Sequence, residues 1–331
     1  MTRLVWDSLP DAIRRRVAGR IGSEIVHEAP AVGGFSPGMA SVLTGADGRS
    51  AFVKAVSAEQ NSYSPELYRR EAALHAGLPQ GLPAPTLMWS FDYEDWSVLA
   101  FAPVHGAVPP LPWKRAHLLA VLDTVRGLTA PDPDSPLPGV DELFREELTG
   151  WRSLAAAEAV AGTHRPTGTP GFVAEDPWLR RHLDRLIRLE ESWEDAARGH
   201  GLLHADLRAD NVLLTEAEDR PSAVTGSSEG SVVLVDWAYA CRGATVFDLV
   251  YLLLGAVEAG GCRPEDVLSA GSGLLRKDEH DAAAVLLAAF TGWFTWLKTL
   301  PPVPGLPALR PFQARMAAAG RSCLTASGVI H

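Results

Sequence analysis

Apolar and polar residues alternate in short runs over the first hundred positions. The stretch "GSEIVHEAPAVGGFSPGMASVLTGADGRSAFVKAVSA" holds three β-prone segments. They are separated by the glycine-rich "GGFSPG" and by "GADGRS", whose Asp-Gly is a hairpin signal. The pattern then changes period. "SPELYRREAALHAGL" places Leu67, Ala73, Leu74 and Leu78 on or near one helical face, with Pro65 near the first turn and Gly77 near the end. "TLMWSFDYEDWSVLAFAPV" predicts two further strands, so the opening third reads as an α+β lobe, a small sheet with one main helix. Glycine and clustered proline in "HGAVPPLPWK" halt regular structure. The predicted boundary lies here, between a lobe at 1–105 and a second at 106–331.

From Trp113 onward the pattern is mainly helical, broken by "TAPDPDSPLPG" and "GTHRPTGTPG". "DPWLRRHLDRLIRLEESWEDAARG" predicts an amphipathic helix with Asp176 as N-cap and Pro177 at the first helical position. "DAAAVLLAAFTGWFTWLKTL" predicts a core helix in which Phe290, Trp293, Phe294 and Trp296 pack the lobe. No internal repeat is visible.

Length and composition fit this division. A chain of 331 residues is long for one compact core, and 47% hydrophobic with 21% charged residues suits a water-soluble globular protein. No uncharged apolar run reaches membrane-spanning length, and the start "MTRLVWDSLPDAIRRRV" threads charges through the positions where a signal peptide keeps an apolar core. The expected location is therefore the cytoplasm. Cys241, Cys262 and Cys323 are too few and too widely spaced for a disulfide framework or a zinc site. A formal charge of −10 argues against nucleic acid as a partner and leans toward a cationic ligand.

The densest chemistry is "HADLRADN", residues 204–211, set just before an apolar run. It has the pattern His-x-Asp-x-x-x-x-Asn. After "TEAEDRPSAVTGSSEG" the strand "SVVLVDW" delivers Asp236 at its end. Asp206, Asn211 and Asp236 are oxygen donors suited to a hard cation, and the intervening strands are able to return Asp236 to the loop.

In this order and spacing the residues resemble the catalytic loop and metal-binding strand of the protein-kinase-like fold, in its aminoglycoside phosphotransferase and choline kinase branch. The resemblance runs from about Ile25 to Arg315. It implies a bilobal α+β architecture, with a small β-rich nucleotide-binding lobe and a larger helical lobe for catalysis and acceptor binding. It also implies a strand lysine, a helical glutamate and a glycine-rich phosphate loop upstream. Lys54 in "AFVKAV", Glu71 in the next helix and "GGFSPGMA" occupy those places, and "LAFAPVHG" stands as the hinge.

On that resemblance Asp206 receives the acceptor hydroxyl's proton, and Arg208 faces the γ-phosphate. Asn211 and Asp236 hold Mg²⁺, while Lys54, oriented by Glu71, grips the phosphates of ATP or GTP. Gly34, Phe35, Ser36 and Gly38 cover the triphosphate, and Phe101 and Pro103 lie at the nucleotide through the hinge. His204 braces the loop, Asp248 in "TVFDLVYLLL" ties it down from a helix start, and Asp210 is read as a turn residue.

"DWA" stands where protein kinases carry Asp-Phe-Gly, and no Ala-Pro-Glu follows. Both departures point away from a protein substrate and toward a small-molecule hydroxyl. An antibiotic is the leading acceptor, aminoglycoside-like or otherwise sugar-containing. Homoserine, choline, methylthioribose or fructosamine kinases and a nucleotide-binding pseudokinase are the alternatives. No membrane partner is expected, and the chain is expected to act as a monomer or homodimer. Acidic residues such as Asp141, Glu142, Glu258, Glu265, Asp266 and Glu279 either receive a cationic acceptor or form a solvated surface. Trp151, Trp193 and Trp237 read as core before they read as stacking platforms.

Overall fold

The computed structural model describes residues 3–31, 33–34, 37–164, 172–215 and 231–330. The β-prone runs become strands β1 (Ile25–Pro30), β2 (Met39–Gly45) and β3 (Ser50–Ser57). The later pair becomes β4 (Leu87–Tyr93) and β5 (Trp96–Phe101). They form one antiparallel sheet in the order β1-β2-β3-β5-β4. Helix α2 (Ser64–His75) lies on the face where Val56, Tyr68, Leu99 and Phe101 form a small apolar cluster.

The opposite face is covered by a helix that the sequence reading did not include, α1 (Asp11–Ile21). Its buried stripe of Ile13, Val17 and Ile21 packs on Met39, Leu43, Val53, Val98 and Ala100. The stripe has the i, i+4, i+8 spacing of a helix, but Arg14, Arg15, Arg16 and Arg20 dilute it along the chain.

The chain then runs through α3 (Arg115–Arg126), α4 (Val140–Phe144), α5 (Gly150–His164), α6 (Phe172–Glu175), α7 (Pro177–Glu190) and α8 (Trp193–Ala197). Asp176 caps α7 as expected, accepting the Trp178 and Leu179 amides at 2.9 and 3.2 Å. The single helix predicted over 176–199 is instead two, because the chain turns at Glu191 and Ser192.

Two short antiparallel pairs follow, β6 (Gly201–Leu203) with β9 (Cys241–Gly243) and, between them in the chain, the hairpin β7 (Val212–Leu214) with β8 (Val232–Leu234). Helices α9 (Val246–Glu258), α10 (Pro264–Val267), α11 (His280–Leu297) and α12 (Leu309–Ala326) complete the large lobe. Helix α11 is its axis, packed by α5, α7, α8, α9 and α12. Phe290 and Phe294 are buried on it, as are Trp151, Trp193 and Trp237 in the same core. No helix among the described residues is long and apolar enough to cross a membrane.

The linker between β5 and α3 is pinned to the large lobe. Ala107 exchanges backbone hydrogen bonds with Leu214 of β7, at 3.0 and 2.8 Å. The entry to the second lobe therefore runs beside the hairpin that follows residues 204–211.

Candidate active site

The loop from His204 to Asn211 joins β6 to β7 and is held from beneath. Ala205 sits at φ 58°, a left-handed conformation that costs an alanine roughly 1–2 kcal/mol. Asp248, fully buried in the first turn of α9, offsets that cost by accepting the His204 amide at 2.7 Å and the Ala205 amide at 2.8 Å. His204 is also buried, and its Nδ1 accepts the Asp206 amide at 3.3 Å. Nε2 therefore carries the proton and donates to the Val235 carbonyl at 2.8 Å. Burial lowers the pKa of the imidazole despite the nearby Asp248, so the ring is a neutral brace. Asp248→Ala leaves two buried amides unpaired at about 1–3 kcal/mol each, so the expected result is a loss of several kcal/mol in denaturant unfolding. An unchanged unfolding midpoint would show that the loop does not need this anchor.

Asp206 projects from the loop with its side chain 18% exposed. Burial pushes its carboxyl up to about 6, with Asp236 and Asp210 adding to the rise and Arg208 opposing it. Four donor contacts surround it. Arg208 Nη1 lies 2.7 Å from Oδ1 and 2.8 Å from Oδ2, the Tyr251 hydroxyl donates to Oδ1 at 3.3 Å, and Asn211 Nδ2 donates to Oδ2 at 3.3 Å.

Arg208 turns back onto its own loop. Its Nε and Nη2 meet Asp210 at 3.0 and 3.2 Å, so the guanidinium bridges two carboxylates within its own loop. The same contacts correct the reading of Asp210, which is an ion-pair partner and not only a turn residue. The reason is local: a planar fork with five N–H groups reaches residues two positions away on either side.

Hairpin β7–β8 pairs Val212 with Leu234, and the Val235 amide donates to the Asn211 carbonyl at 3.0 Å. Asp236 therefore emerges beside the loop, at φ 69°. Its Oδ1 lies 3.1 Å from Lys54 Nζ, and Lys54 in turn lies 2.6 Å from Glu71. Lys54 comes from β3, Glu71 from α2 and Asp236 from the large lobe, so one ammonium joins both lobes.

Lys54 and Glu71 are 8% and 1% exposed, which replaces the half-exposed position a strand lysine has by default. Burial alone would lower the Lys54 pKa, but the Asp236 and Glu71 carboxylates outweigh it and keep the ammonium charged. Burial pushes Glu71 up to about 7 against the pull of Lys54. Burial likewise pushes Asp236 up, but Lys54 overcomes this and holds the carboxyl below its ordinary range.

Asn211 and Asp236 bring a carboxamide and a carboxylate to the same end of hairpin β7–β8. Among the described residues no group of three or more His, Cys, Asp or Glu forms a metal cage. A sparse set of hard oxygen donors, completed by phosphate and water, is what Mg²⁺ accepts, so these residues fit that ion.

The glycine-rich segment reaches the same place. A Cβ on Gly33, which has φ 90°, would stand 3.4 Å from Asp210 Cβ. Gly34, at φ 78°, lies against the Arg3 guanidinium, and a Cβ on Gly38 would collide with the Ala55 carbonyl. Phe35 and Ser36 lie outside the described residues. The hinge pair follows from the end of β5. Phe101 is buried with its ring 5.2 Å from His75, so only its backbone can face a nucleotide. Pro103 has no N–H and offers only its carbonyl.

No family model matches the chain, and no curated protein matches it. Solved structures do. Choline kinase LicA from Streptococcus pneumoniae aligns with a TM-score of 0.51 at 14% identity, covering 94% of this chain and 98% of that one. A thermostable mutant of aminoglycoside phosphotransferase APH(4)-Ia, in ternary complex with ADP and hygromycin B, aligns at 0.50 and 14%, over 94% and 98%. The AMP-bound spectinomycin phosphotransferase APH(9)-Ia aligns at 0.50 and 13%, over 95% and 97%. The chain has the protein-kinase-like fold of these phosphotransferases. In that fold the sheet-rich small lobe and the helical large lobe meet where Lys54, Asp206 and Asp236 lie.

Proposed function

We propose that the chain is a phosphotransferase that moves the γ-phosphate of ATP or GTP to a hydroxyl of a small molecule. The observation that carries this reading is the contact chain Glu71–Lys54–Asp236, which spans the two lobes beside a loop whose Asp206 is tuned toward neutrality. Phosphoryl transfer demands positioning and charge neutralisation more than covalent help, and these residues supply both. Asp206 accepts a hydrogen bond from the acceptor hydroxyl. As the new O–P bond forms, the bond from phosphorus to the bridging oxygen breaks, the nucleoside diphosphate leaves with that electron pair, and the hydroxyl proton passes to Asp206.

A carboxyl titrating near 6 is largely ionised at neutral pH yet basic enough to take the proton late. Lys54 binds the phosphates from the position Glu71 gives it. Arg208 holds the base ionised, the role its contacts with both Asp206 oxygens support. Asn211 and Asp236 would hold Mg²⁺, which when bound neutralises charge on the phosphate oxygens.

For the acceptor, a sugar-containing antibiotic is the reading we favour, with inactivation of the drug as the consequence. Metabolic alcohols of the choline, homoserine, methylthioribose or fructosamine type come second. Several acidic residues that offered themselves to a polycation are paired with arginines: Asp141 with Arg145 at 3.0 Å, Glu279 with Arg126 at 3.1 Å, Asp266 with Arg263 at 2.8 Å, and Glu258 with Arg315. This moves the weight toward acceptors less cationic than an aminoglycoside. The cytoplasm is the compartment we propose, because the nucleotide is there.

Titration calorimetry tests the nucleotide half of the proposal. Mg²⁺ is expected to strengthen nucleotide binding, and Asp236→Ala to remove that gain by about tenfold or more, exceeding Asn211→Ala because a carboxylate neutralises the ion and a carboxamide only coordinates it. Binding that ignores Mg²⁺ in the parent protein would overturn the assignment.

A further inference from the structure

Asp206 carries its carboxylate on two rotatable bonds, and Arg208, its closest partner, belongs to the same loop. An ion pair within one loop moves largely with that loop, and beyond it the Arg208 guanidinium meets the Phe312 ring at 6.0 Å, a contact that does not itself touch the carboxylate. Tyr251 does. It stands on α9, three residues after Asp248, and that spacing puts both side chains on one helical face. Helix α9 therefore touches the loop twice, at the His204 and Ala205 amides through Asp248 and at Asp206 Oδ1 through Tyr251.

The phenol is 4% exposed and its ring is wedged by α11, edge-on to Phe290 at 5.3 Å and beside Phe294 at 6.1 Å. A ring so held has little freedom to carry its hydroxyl elsewhere. The two carboxylate oxygens are also told apart, since Tyr251 meets Oδ1 while Asn211 meets Oδ2.

We propose that Tyr251 is a positioning residue for the transfer reaction, fixing the rotation of the Asp206 carboxylate so that it meets the acceptor hydroxyl in one orientation. The inference rests on Asp206 being the base. The sequence carries no motif for it, because the contact depends on how α9 is rolled against the loop.

Tyr251→Phe removes the hydroxyl and keeps the ring's packing. With Mg²⁺-nucleotide and water as the acceptor, kcat is expected to fall roughly tenfold while KM for the nucleotide stays within about twofold. In an Asp206→Asn background the same change is expected to cost nothing further, since the group it orients is gone. The Asp206 carboxyl ¹³C resonance at one fixed pH, assigned by its loss in Asp206→Asn, is expected to move in Tyr251→Phe. This readout needs no turnover.

Parental kcat in Tyr251→Phe, a raised KM with unchanged kcat, an undiminished cost in the Asp206→Asn background, or an unmoved carboxyl resonance would each overturn the proposal. If Asp206→Asn itself turns over like the parent, the base assignment fails. If Asp206→Asn is impaired and Tyr251→Phe is not, only the role of Tyr251 fails.

Discussion

Asp206→Asn is expected to lower turnover by roughly two to four orders of magnitude while leaving nucleotide affinity within about twofold of the parent, the cost of removing a positioned base. Asparagine keeps the size of the side chain and an oxygen for Arg208 and Tyr251, so the loop keeps its shape. The amide has no acid–base chemistry to offer a departing proton. Steady-state kinetics beside calorimetric nucleotide binding separates the two effects, and a variant with parental turnover would remove Asp206 from the role.

The second large effect belongs to the buried pair across the lobes. Lys54→Met is expected to lower turnover by roughly a hundred- to a thousandfold, the range seen when one preorganised donor to developing charge is lost. It also strands Glu71, 1% exposed, without its cation. Breaking a buried pair from one side costs about 3–5 kcal/mol, moderated here because Glu71 already titrates near 7 and takes up a proton readily. Glu71→Gln is expected to weaken catalysis less, by loosening the ammonium it orients. The double variant should then lose less than the sum of the two, and should be more stable than Lys54→Met alone. A double-mutant cycle at saturating nucleotide, read once in turnover and once in unfolding, measures both. Additive losses in turnover would mean that Lys54 and Glu71 do not act as a unit.

Most of the fold was legible where the residues act locally. Alternation of apolar positions with Gly-rich turns located the five strands of the sheet, and Asp176 with Pro177 marked the start of α7. The loop 204–211 and Asp236 were legible as a spacing pattern, and the hairpin β7–β8 is the device that brings them together. Asp248 was legible through its place in that pattern, and its two amide contacts give the physical reason for it.

What was not legible depends on side-chain direction. Nothing in the order of residues says that Arg208 turns back onto Asp206 and Asp210, or that Phe101 points into the cluster under α2. Tyr251 falls in a continuous apolar run, "LVYLLL", where one polar tip among buried residues leaves no periodic signal. Helix α1 escaped because its apolar stripe is narrow and its arginines are many.

The most direct test of the central claim is a transfer assay with the purified protein. ATP or GTP, Mg²⁺ and a panel of hydroxylated small molecules, from sugar-containing antibiotics to choline and homoserine, are incubated together and the products read by mass spectrometry and ³¹P NMR. One class of acceptor is expected to gain a single phosphoryl group as a phosphomonoester, in step with nucleoside diphosphate release, and Asp206→Asn is expected to abolish both. Tight Mg²⁺-dependent nucleotide binding with neither transfer to any hydroxyl nor hydrolysis would contradict the claim, and would assign the chain to nucleotide binding without chemistry.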